Sequence, residues 1–250
     1  MTEVPDPDGY MALIRGLQAD CAELTWKRAS ETGQKAPVLL EALEVLLSYL
    51  ERSATRPGGY SGGDLKAEFL IGRAVSSCQA ALLLMGSGYY DEALGLIRGL
   101  GEIANLMSMF VTDASEFERW KSLDEKLRRR EFAPVKVRLW LEKRAGVLVV
   151  NESRYETLSS YSIHASPNSI PQAYGHHGNA FIGPIYQEAG FLLCLNELAR
   201  PIAFISVFSV NLIGVSHEIR SAVIDASRIL ASHIGAITVD VKGRPWFKLN

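Results

Sequence analysis

Residues 90–111 read YDEALGLIRGLGEIANLMSMFV, and the spacing in this stretch sets the fold class. Ala93, Ile97, Leu100, Ala104, Met107 and Val111 recur every three or four positions, which puts them on one stripe of an α-helix. Leu96, Ile103, Leu106 and Phe110 form a second stripe beside it. Two apolar stripes leave only a narrow polar seam of Asp91, Gly95, Arg98, Glu102 and Asn105, so this helix is expected at the centre of a helical protein. The break before it, Gly86-Ser87-Gly88, is short enough to demand an antiparallel partner, which the pattern from Asp64 to Met85 supplies.

Working outward, the same period recurs. Met11, Ile14, Leu17 and Cys21 share a face, and Leu39, Leu43, Leu46 and Leu50 follow Pro37 at helical spacing. Residues 115–131 read as one charged helix with Phe117, Trp120, Leu123 and Leu127 inward; Pro134 restarts a shorter one through Trp140. Val147 to Val150 reads as a brief strand or an extended link, and residues 152–164 as a further helix. The stretch 165–186 holds three Pro and three Gly and reads as a long loop of the kind that often carries function. The expectation is a single all-α domain over residues 1–250. It is a bundle of about seven to eight helices around a central antiparallel helical hairpin, with N-terminal helices in 1–56, a core in 64–164 and a helical pair in 187–242. A chain of 250 residues with 48% hydrophobic content is long enough for one sizeable core.

The formal net charge is −2, so no global field points to nucleic acid or an anionic membrane. Charge is uneven locally: residues 119–144 hold ten Lys/Arg against four Asp/Glu. Cys21, Cys78 and Cys194 are widely spaced, which favours reduced, buried thiols. The longest apolar run, Pro201 to Val215, is about 15 residues and falls short of the roughly 20 that span a bilayer. The expectation is therefore a cytoplasmic protein with no membrane among its partners.

Arg98 and Glu102 stand four apart and meet on one helix face, flanked by apolar stripes. Such a pair is either a structural ion pair or the start of a polar pocket inside the bundle, in which Arg98 binds an anion or Glu102 serves as acid, base or metal ligand. Asn105 lies in the same seam. Tyr155, Ser159, Tyr161 and His164 cluster near a helix end whose dipole favours a protonated imidazole. The GxSxG and phosphate-loop patterns are absent, so nucleophilic hydrolysis and phosphate-loop chemistry are unsupported. His176 and His177 are adjacent and point apart in extended chain, so no metal and no cofactor is assigned. The basic run around Arg128-Arg129-Arg130, with Lys136 and Arg138, reads as a solvated face whose aromatics Trp120, Phe132 and Trp140 point inward.

The segments ALGLIRGLGEIANL (93–106) and YETLSSYSIHAS (155–166) together resemble prokaryotic proteins of the HEPN-like helical class. That class pairs an R-x3-E helix with a later Y-x-x-L-S-x-Y-x-H segment. Arg98 and Glu102 match the first; Tyr155, Leu158, Ser159, Tyr161 and, shifted by one, His164 match the second, over about residues 65–165. The resemblance implies a nucleotide- or RNA-binding protein of a defence or stress system, with Arg98, Glu102 and His164 as catalytic candidates and Asn105, Tyr155, Ser159 and Tyr161 as binding residues. It also implies looking for the R-x4-6-H motif of its RNases, matched once by Arg228 and His233, although Ile229 replaces the usual polar residue after the arginine. The alternative is a non-catalytic interaction protein acting as a homodimer, with Arg98–Glu102 only structural.

Overall fold

The computed structural model describes residues 7–31, 35–55, 66–162, 170–175 and 179–233. Among these the chain is all helical: α1 (Pro7–Ala29), α2 (Lys35–Ala54), α3 (Lys66–Gly86), α4 (Tyr90–Thr112), α5 (Ala114–Ser122), α6 (Glu125–Glu131), α7 (Pro134–Lys143), α8 (Glu152–Ser162), α9 (Glu188–Ile213) and α10 (His217–His233). Ten helices stand where about seven to eight were expected. One cause is visible at Asp124. Its carboxylate accepts the Leu127 amide at 2.8 Å and caps a new helix, which splits the charged stretch 115–131 into α5 and α6.

The α4 stripes fold in part as their spacing dictates. Ala93, Ile97, Leu100, Ala104 and Met107 of the first are buried but Val111 is exposed; of the second, Phe110 is buried while Leu96, Ile103 and Leu106 are half-buried, and Leu94 joins the core with no exposure. This helix packs most extensively on α9 and then on α3. With α2 and α10 they enclose the main core, where each fully buried large side chain contributes about 1.5–3 kcal/mol. A second, smaller cluster forms where Met109 and Phe110 of α4 meet Val137 and Leu141 of α7, walled by Phe117, Trp120 and Phe132. The three cysteines are free and buried.

Gln172, Tyr174 and Gln187 form a clamp on the start of α4. No side chain of Tyr89 caps that helix. Instead Gln172 Oε1 accepts the Tyr90 and Asp91 amides at 2.9 and 3.4 Å, and the Asp91 carboxylate accepts the Gln172 amide at 2.8 Å. Gln187 continues the knot by accepting from the Tyr174 amide and donating to the Gln172 carbonyl. The cap that sequence places within four residues of a helix start comes here from a partner about eighty positions away.

Three helices are long and apolar enough to cross a membrane by length and composition: Ala67–Gly86 (mean hydropathy 1.4), Tyr90–Thr112 (1.3) and Glu188–Ile213 (1.6). This overturns the expectation of a cytoplasmic chain with no membrane partner. The error lay in counting only the uninterrupted apolar run from Pro201. The helix passes through Glu197, Arg200 and Pro201 without a break and reaches 26 residues. The neighbouring helices bury 78% of the α9 window but 39% of the α3 window, where Phe69 and Leu83 stay exposed.

Candidate functional site

Where the main core meets the smaller cluster, α3, α4, α7 and α8 leave a cavity of about 320 Å³. Arg73, Glu102, Trp120, Phe132, Arg138 and Tyr155 are among its lining residues. Its floor is fixed by Asn105, whose Oδ1 accepts the Val149 and Val150 amides at 2.9 and 3.2 Å while Nδ2 donates to the Val150 carbonyl at 2.8 Å. Asn105, a binding residue by expectation, is thus occupied in holding the 147–150 link, which is neither helix nor strand. Gly101 lets that link come close, because a Cβ there would overlap Val150 Cγ2.

Tyr155 stands between two guanidinium groups. Arg98 Nη1 donates to its hydroxyl, with Arg98 Cζ 4.8 Å from the ring centroid; Arg138 Cζ lies 4.7 Å from the same centroid. Cation–π contacts of this kind contribute about 0.5–2 kcal/mol each. Arg98 also pairs with Glu102 at 3.1 Å, with the two side chains 20% and 31% exposed. Both of these contacts use Nη1; Arg98 Nε is buried without a hydrogen-bond partner among the described residues.

Arg138 is the unexpected member. It is 7% exposed, and among the described residues its contact with Tyr155 is the one polar interaction it makes. A charged side chain at that depth is ordinarily paired, because stripping water from it costs several kcal/mol. The reading of the basic run as a solvated face holds for Arg129 and Arg130, which are 79% and 67% exposed. It fails for Arg138, and also for Arg128, which turns in to donate to the carbonyls of Trp120 and Leu123 and to pair with Glu125. Arg128 is therefore spent on the backbone. Three guanidiniums, those of Arg73, Arg128 and Arg138, line the cavity against the two carboxylates of Glu102 and Glu125, so the wall carries one uncompensated positive charge. Arg138 was legible in one respect: it is in phase with Val137 and Leu141, both buried, on the same short helix.

The other expected residues fall as follows. Ser159 is buried and returns its hydroxyl to the Tyr155 carbonyl at 2.7 Å, and Tyr161 is buried in the main core. His164, His176 and His177 lie outside the described residues. Arg228 is exposed and pairs with Asp225 at 3.2 Å, while His233 Nδ1 lies 2.8 Å from the Ile229 carbonyl. Five positions apart on α10, they face different sides of the helix and neither lines the cavity. Among the described residues no group of three or more His, Cys, Asp or Glu could hold a metal ion.

A second ion pair escaped the sequence reading. Arg154 of α8 grips Glu197 of α9 with both ends of its guanidinium, Nε to Oε2 at 2.7 Å and Nη2 to Oε1 at 2.5 Å, and Glu197 is 3% exposed. Its partners are 43 residues apart, so no spacing rule links them. No family model, curated protein or solved structure matches the chain.

Proposed function

We propose that the chain is a HEPN-like helical protein, with α3 and α4 as its antiparallel hairpin, and that it binds a nucleotide in the cavity beside Tyr155. The observation that carries this reading is Arg138, a buried guanidinium facing an open volume with no carboxylate of its own. A phosphate would supply the missing negative charge through charge-assisted hydrogen bonds, the geometry arginine favours. Arg73 adds a second cation at the same wall, and Trp120 and Phe132 offer aromatic surface for a base. The volume lies at the lower end of the small-ligand range, which suits one nucleotide rather than a duplex. Arg98 and Glu102 act in this reading as a strut that orients Tyr155.

Titration with adenosine 5′-monophosphate, followed by tryptophan emission and calorimetry, tests it. The wild-type protein should bind saturably, and Arg138→Gln should weaken binding by at least about tenfold, the loss of one charge-assisted contact. Nucleoside monophosphates of all four bases failing to bind the folded wild-type protein would sink the reading.

A further inference from the structure

A larger cavity, of about 570 Å³, opens at the other end of α9. It lies between α2, the turn after Ile213 and the start of α10, and its walls are mostly aliphatic: Val45, Ile213, Val215, Ile219 and Val223. The space is a groove open to solvent on one side, and its volume falls in the range that small-molecule sites occupy. Val45 and Ile219 remain 47% and 45% exposed beside it, apolar surface that an occupant would cover.

One margin is polar and of a single sign. Arg52 lines the cavity, and among the described residues it has no hydrogen bond or ion pair. Ser48, one turn before it on α2, likewise keeps its hydroxyl without a partner among the described residues. Among the described residues no carboxylate lines the space. Burial pushes the Tyr49 hydroxyl above its ordinary range; hydrogen bonds with Ser209 and Ser53 and the charge of nearby Arg220 act the other way. Arg220 thus adds a second positive charge to this region.

We infer that this cavity binds a single-chain amphiphile with an anionic head, its tail among Val45, Ile213, Val215 and Val223 and its head against Arg52 and Ser48. The apolar body accounts for the aliphatic walls, and the anion answers the unpaired guanidinium at their edge. A neutral apolar molecule would make no use of the Arg52 guanidinium, which stands exposed at the rim. A small hydrophilic anion would leave the walls wet. The occupant belongs to a different chemical class from the nucleotide, so this site and the cavity beside Tyr155 stand or fall separately.

Displacement of 11-(dansylamino)undecanoic acid from the full chain provides the test, with dodecanoate, dodecyl phosphate and dodecanol as competitors. Dodecanoate and dodecyl phosphate should each displace the probe at least about tenfold better than dodecanol, and their ratio tells a carboxylate from a phosphate head. Arg52→Gln should remove most of that preference while the alcohol competes as before. Ala222→Trp and Val45→Trp, both at exposed positions that allow the fold to persist, should block the probe, and circular dichroism should confirm that both fold. Arg138→Gln should leave the binding unchanged. The inference is overturned by a wild-type protein with no saturable probe binding, by an unaltered head-group preference in Arg52→Gln, or by undiminished binding in folded Ala222→Trp and Val45→Trp.

Discussion

Arg138 brings a full positive charge to a wall that is nearly out of water, and among the described residues no carboxylate pairs with it. A residue kept for stability would not look like this, since its removal should then cost the protein. Arg138→Met keeps the aliphatic volume and deletes the charge. It is expected to raise the unfolding free energy by about 0.5–2 kcal/mol, the usual yield of relieving a strained functional position, while abolishing nucleotide binding. Chemical denaturation of both proteins measures it, and a less stable Arg138→Met would mark the arginine as structural. At this scale the spacing and motif singled out Arg98, Glu102 and Tyr155, and the structure brings Arg98 against both of the others. The sequence pointed past Arg138, because ten cations between residues 119 and 144 hid the two, Arg128 and Arg138, that turn inward.

At the scale of elements, α4 and the link at 147–150 form the rigid side of the site, and α5 to α7 form the side held by charge. Gly101→Ala would gain helix propensity but drive a Cβ into Val150. Valine is stiff about its Cα–Cβ bond, so the expected outcome is a net loss of about 1–2 kcal/mol from overpacking, read as a lower denaturation midpoint, with weakened nucleotide binding as the link and Tyr155 shift. The charged side should respond to acid. Hydrogen bonding to Arg129 holds the Glu125 carboxyl below the ordinary range, and hydrogen bonding to Arg130 does the same for Glu131. A carboxyl depressed in the folded state stabilises fully above its unfolded pKa of about 4.3. That contribution is lost as pH falls through the lower, folded value. Emission from Trp120 and Trp140 should therefore change as pH falls below about 4.3, before the helical signal of the main core does; coincident transitions would show that α5 to α7 do not respond separately. The strong period of α4 made that helix readable in advance. The break between α5 and α6 was not, because Asp124 sits among so many other charges that its capping role has no distinct signature.

For the molecule as a whole, the ties that join distant segments are the ones a local reading misses. Arg154 and Glu197 couple α8 to α9, and Arg154→Ala would leave the buried Glu197 carboxylate without its bidentate partner, with the nearby Arg200 charge as partial compensation. The expected cost is about 3–5 kcal/mol, measured by urea denaturation; a cost below about 1 kcal/mol, the level of an exposed pair, would show that water reaches Glu197. The same passage of α9 through Glu197, Arg200 and Pro201 hid a membrane-length apolar helix from a count of uninterrupted residues. The clamp of Gln172 on α4 was invisible for a related reason, since an amide 82 positions downstream carries no periodic signal. That separation has a consequence in time. At a synthesis rate of roughly 5–20 residues per second, the start of α4 leaves the ribosome about 4–16 s before Gln172 exists to cap it. Through that interval the newborn chain carries a 23-residue apolar helix with its amide end open and its α9 flank bare. That is the form in which a chaperone or a translocation machine would first meet it.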